Sequence, residues 1–133
     1  MKKIQSLIFS AFLLTALAVN GLLAADESKK APAKEITITG QVIDPACYIK
    51  EGRSGPEHKK CAQACAKAGQ SLAILDKKTG KIYVSIGAEM MDDPNAKIFD
   101  LAEEKVKVTG KVYEKGGISA IVISKAEKLV ASK

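Results

Sequence analysis

All three cysteines and the only histidine of this 133-residue chain fall within 19 positions, as Cys47, His58, Cys61 and Cys65, in the spacing C-x10-H-x2-C-x3-C. Thiolate sulfur and imidazole nitrogen are the donors a tetrahedral zinc ion takes, and thiolate-rich sets also take copper(I) or an iron centre. On an α-helix of about 100° per residue, Cys61 would lie about 300° on from His58 and Cys65 about 40° further, so the three would share one sector of about 60°. Cys47, expected at the end of the first strand, would then fold over that stripe to complete a Cys3His set. Glu57, Lys59, Lys60 and Lys67 stand near enough in sequence to balance a site carrying up to three thiolates. The expectation is one metal ion on Cys47, His58, Cys61 and Cys65, zinc first and copper or iron as alternatives, in a structural or metal-handling role. A closed four-ligand zinc site would be structural, because catalytic zinc keeps a position open for water.

The same cysteines also admit covalent readings. Exported cysteines meet an oxidising environment and pair, and three is an odd number. A Cys61–Cys65 bridge within one helix is awkward, since the two lie about a turn apart, so Cys47 with either of them is the better candidate pair. The remaining thiol would be free for intermolecular pairing, exchange or metal capture. That chain would be a disulfide-stapled module binding a protein partner or a carbohydrate. A third reading is a thiol-redox protein using Cys61 or Cys65, although no C-x-x-C is present. Tyr48 is expected to pack its ring against the neighbouring helix. The Met90-Met91-Asp92-Asp93 stretch is expected to be packing rather than a second metal site. Haem attachment, a phosphate-binding glycine loop and a second histidine to serve as a base are all missing from the sequence, which turns the reading away from an enzyme.

These side chains must be positioned by a small exported domain. Lys2 and Lys3 precede an uncharged apolar run over residues 7–19, and Ala24 and Ala25 supply the small residues of a cleavage site. The run is shorter than the roughly 20 residues a membrane helix needs. Residues 1–25 therefore read as a signal peptide, residues 26–34 as a disordered leader, and residues 35–133 as one domain. The location expected is periplasmic or secreted from a bacterium, with no membrane span after cleavage. Loss of Lys2 and Lys3 lowers the formal charge from +6 to +4. The lysines are scattered and only Tyr48, Phe99, Tyr83 and Tyr113 are aromatic beyond the signal, which argues against a nucleic-acid partner.

Alternation of apolar and polar residues places a first strand over residues 36–42, with Gly40 at a bend or bulge. A polar, glycine-bearing loop is expected over residues 44–55. A helix follows from Pro56 to about Lys67, ending at Gly69. Two strands over residues 71–75 and 81–86 flank a glycine-bearing hairpin loop. A short helical stretch over 96–103, a strand over 106–112, a Lys115-Gly116-Gly117 turn and a strand over 118–123 complete the order. This order predicts a mainly β fold: a five-stranded OB-like Greek-key barrel, with a Cys/His-bearing helix inserted after strand one and a short helix between strands three and four.

The stretch from Gly40 to Tyr48, then His58, Cys61-Ala62 and Cys65, then Val108-Thr109-Gly110-Lys111-Val112, resembles a group of small exported bacterial proteins. They are OB-like barrels, mostly uncharacterised, that carry an inserted Cys-Tyr…His-x2-Cys-Ala-x2-Cys segment. The likeness covers about residues 36–125, and its Cys/His spacing is the specific part. It implies a fold and a site but no reaction.

Overall fold

A computed structural model describes residues 33–130. The expected signal peptide and all but the last two residues of the expected leader lie outside the described residues. Five strands close into a barrel: β1 (Lys34–Ile43), β2 (Ala73–Leu75), β3 (Ile82–Ser85), β4 (Lys105–Lys115) and β5 (Ile118–Lys128), in the order β1-β2-β3-β5-β4 with β4 paired back onto β1. All neighbours are antiparallel except β3 and β5, which run parallel. The OB-like barrel expected from the sequence is therefore the fold.

The alternation that defines the strands also builds the core. Ile38 and Val42 of β1, Val106, Val108 and Val112 of β4, and Ile74, Ile121 and Ile123 point inward and are buried together. Thr37, Thr39, Lys105, Lys107 and Lys111 take the outward positions between them. Each fully buried Val, Leu or Ile contributes about 1.5–3 kcal/mol, and no cysteine lies in either apolar cluster. Gly40 sits where β1 passes from β4 to β2, with Gln41 paired to both Lys105 and Leu75. A Cβ at Gly40 would run into the backbone carbonyl of Leu75, so this glycine serves a close approach of chains. The one register shift between β4 and β5 falls at Thr109/Gly110 instead.

Several elements differ from expectation. β1 starts at Lys34, inside the expected leader, and β5 continues to Lys128. The stretch 96–103 holds only a 3-10 turn, Phe99–Leu101. Its entry is pinned instead by the buried Asn95, whose Oδ1 accepts from the Leu72 amide at 2.8 Å and whose Nδ2 donates to the Gln70 carbonyl at 2.8 Å. Most important for the site, residues 44–55 are not a loop throughout. They contain a helix, α1 (Pro45–Glu51), followed by a 3-10 turn (Pro56–His58) and then α2 (Lys59–Lys67).

Both helices are fixed to the barrel by small apolar contacts. Tyr48 of α1 packs on the patch made by Ile43, Ala73 and Leu75, together with Ile82. Ala62 and Ala66 of α2 lie on the main core. The outer side of α2 is tied to the 3-10 turn Phe99–Leu101 by Gln63 Nε2 donating to the Phe99 carbonyl at 3.2 Å, and by Lys67 Nζ 5.6 Å from the Phe99 ring centre.

Candidate metal centre

The first ligand is set by a helix cap. Asp44 follows β1 directly, and its Oδ1 accepts from the amides of Ala46 at 2.9 Å and Cys47 at 3.2 Å. Pro45 occupies the first helical position, where its missing N–H costs nothing. Gly52 ends α1 in the left-handed region, φ 66°, and its amide returns to the carbonyls of Cys47 and Tyr48. Cys47 is thus held in the first turn of α1, not at the end of a strand.

Cys61 and Cys65 stand one turn apart on α2. Their neighbours Ala62 and Ala66 are small enough for the helix to lie close against the barrel, which brings the cysteine stripe beside α1. The three sulfur atoms, Sγ of Cys47, Cys61 and Cys65, all lie within 4.8 Å of one another. All three are free thiols; Cys61 is exposed, while Cys47 and Cys65 are half-buried. The group is open on the Cys61 side and backed by protein on the other.

His58 is placed elsewhere. It is the last residue of the 3-10 turn, and the tighter winding there shifts it out of phase with the α-helical stripe expected to carry it. It is buried along with Ala62 and Ala66, four and eight positions on, and does not belong to the three-sulfur group. Its Nδ1 lies 3.0 Å from Glu103 Oε1. Glu103, with φ 63°, also accepts from the Gly55 amide at 2.7 Å and Gln41 Nε2 at 3.1 Å through Oε2. This buried polar network anchors the start of α2 to the barrel. Glu103 carried no periodic signal in the sequence, and Gln41 read there as a polar position of the first strand's alternation. Of the lysines expected to balance the site, Lys59 pairs with Glu104 at 3.1 Å and Lys67 lies over Phe99.

No protein-family model matches this chain, no curated protein matches it, and no solved structure matches it.

The side chains of the site crowd negative charge. The Asp44 carboxylate beside Cys65, together with burial and the nearby Cys61 and Cys47 thiols, pushes the Cys65 thiol up from 9.0 to about 12. Burial, then Asp44 and Cys61, also raise Cys47. Burial works to raise Asp44 itself, but the Cys65 thiol, the Cys47 amide and thiol and the Ala46 amide outweigh it and hold the carboxyl below its ordinary value. Asp44 is only 1% exposed, and its Oδ2 accepts no hydrogen bond of normal geometry among the described residues. The Cys65 and Cys47 side chains stand close beside it. A pocket that disfavours thiolates on their own, and lines them up beside a carboxylate, is electrostatically suited to a cation. Sequence reasoning missed Asp44. Its signal was the Asp-Pro pair one residue short of Cys47, an N-cap followed by proline at the first helical position.

Proposed function

We propose that this chain is an exported, periplasmic protein that holds one metal ion, zinc first, on Cys47, Cys61 and Cys65. The observation that carries the proposal is the mutual approach of the three sulfurs to within 4.8 Å. Tetrahedral zinc at about 2.3 Å from each sulfur places the sulfurs about 3.8 Å apart, so closure needs only side-chain rotation. Copper(I), which takes thiolates in trigonal array, is the nearest alternative, with iron behind it. The role that fits is stabilising or metal-handling. Export is supported by residues 1–25, and among the described residues no helix is long and apolar enough to cross a membrane. Kinship with the small exported barrels rests on the same Cys/His spacing. A fourth donor would come from one of two buried atoms that lack partners among the described residues, His58 Nε2 or Asp44 Oδ2.

The same proximity also favours a second reading, because thiols this close can pair after export into a disulfide that staples α1 to α2. One experiment separates the two. Untagged protein recovered from the periplasm is assayed for metals and its thiols counted by intact mass after alkylation. One ion per chain and three reduced cysteines are expected. Two oxidised cysteines, one free thiol and no stoichiometric ion would instead support the stapled interaction module.

A further inference from the structure

Asp44 is the buried group that the barrel, the helix cap and the three-sulfur group leave half-used. Its two carboxylate oxygens have separate fates. Oδ1 is consumed by the amides of Ala46 and Cys47, which locks the side-chain rotamer. Oδ2 is buried with no hydrogen-bond partner among the described residues, in a residue 1% exposed. Burying an unpartnered carboxylate oxygen is costly unless something positive meets it. No lysine or arginine is paired with Asp44 among the described residues, where the ion pairs are made by other acids. What stands against it instead is sulfur: the side chains of Cys65 and Cys47.

Resting on the metal-binding reading above, we propose that Asp44 Oδ2 is the fourth donor to the ion, making the site Cys3Asp rather than Cys3His. The side chains of Cys65 and Cys47 stand against Asp44, whose carboxylate lies outside the set of donors within 4.8 Å of one another, so the ion would draw Oδ2 in to complete the group. Asp44 and Cys47 are joined through the cap, so the ion would bind to one rigid turn of α1 and one stripe of α2. His58 Nε2 is also unpartnered, but the ring is buried among the core-facing alanines beside Glu103, whereas Asp44 stands against Cys47 and Cys65. The balance of the step is simple. A divalent ion displaces the three thiol protons to the buffer and meets an already ionised carboxylate, leaving four anionic donors on one dication. Carboxylate oxygen at about 2.0–2.2 Å is an ordinary zinc ligand.

Zinc affinity is measured by competition against a chromophoric chelator, with cobalt(II) as the spectroscopic probe, on the wild-type chain without its signal and on three variants. Asp44→Asn keeps the capping oxygen and removes the charged donor. Asp44→Ser keeps a capping oxygen but has no second oxygen, and it guards against the Asn amide acting as a weak ligand. His58→Gln removes the imidazole. The expected result is stoichiometric binding by the wild type, a loss on the order of 100-fold or more in both Asp44 variants, beyond that of an outer-shell partner, a changed cobalt(II) visible spectrum in both, and near wild-type affinity for His58→Gln. Thermal melts of the metal-free variants check that the fold survives. Wild-type affinity and spectrum in both Asp44 variants would overturn the proposal. So would a loss confined to His58→Gln, which would return the fourth position to histidine. Failure of the wild type to bind zinc or cobalt at all would sink the three-cysteine reading itself, which is a separate outcome.

Discussion

At the scale of single residues, the site is governed by how badly its anions tolerate one another. Cys65 is raised from 9.0 to about 12 by Asp44, burial and the two other thiols. In the metal-free protein its alkylation at pH 8 should therefore be slower than that of the exposed Cys61, and mass mapping of a time course reads this directly. Equal rates would contradict it. The folded state prefers the neutral Cys65 thiol, so its share of metal-free stability is whole below pH 9.0 and is lost as the pH climbs through about 12. Asp44 behaves in the opposite sense. Its lowered pKa gives a share of stability present above 3.8 that is lost as the pH falls through the folded value. Denaturation midpoints of the metal-free protein should thus fall both above pH 9 and in acid, and zinc should flatten the alkaline limb, because a bound cation keeps the thiolates ionised. Replacing any one of Cys47, Cys61 or Cys65 by serine should weaken zinc by on the order of 100-fold or more, beyond the loss typical of an outer-shell partner. The cysteine cluster was legible from spacing alone. Asp44 was not, because an aspartate before a proline looks like a turn until the amides of Ala46 and Cys47 are seen to converge on it.

At the scale of elements, the site is a junction between α1 and α2, and its precision depends on what docks each helix. α1 has seven residues, too short to persist on its own, and relies on the Asp44 cap, the Gly52 terminus and Tyr48 on the barrel. Asp44→Ala removes the cap and should cost about 1 kcal/mol in metal-free chemical denaturation, whereas Asp44→Asn should cost little. Tyr48→Ala leaves every proposed ligand in place but frees α1 from Ile43, Ala73 and Leu75. Zinc affinity should fall in this variant while the far-ultraviolet signal of the barrel persists. Unchanged affinity would mean that α1 is held by the ion rather than by packing. The helix-to-ligand geometry was only half legible. The i, i+4 relation of Cys61 and Cys65 follows from helical periodicity and holds. The extension of that stripe back to His58 fails, because Pro56–His58 winds as a 3-10 turn and because Glu103, 45 positions away, draws the ring inward.

At the scale of the whole molecule, the barrel and the site are separate achievements. β1 and β4 could be read from alternation in residues such as Ile36-Thr37-Ile38 and Val106-Lys107-Val108, and β2, β3 and β5 from apolar runs bounded by glycine-bearing turns, which gave the order of the five. Closure through β1 and β4 was legible only as fold-class analogy, since pairing of residues about 70 positions apart leaves no local trace. No cysteine belongs to either apolar cluster. Removing the ion with a chelator should therefore leave a folded barrel, unlike a zinc finger, which unfolds without metal. Zinc at about 100 times its Kd should stabilise the chain by about 2.7 kcal/mol, a rise in melting temperature on the order of 10 °C, and calorimetry with and without chelator measures it. The site exists as a metal centre only if the three sulfurs share one ion. X-ray absorption at the edge of the bound metal tests it most directly. Three sulfur neighbours at about 2.3 Å and one oxygen at about 2.0–2.2 Å are expected; a shell of oxygen and nitrogen without sulfur would show that the cysteines do not hold the ion.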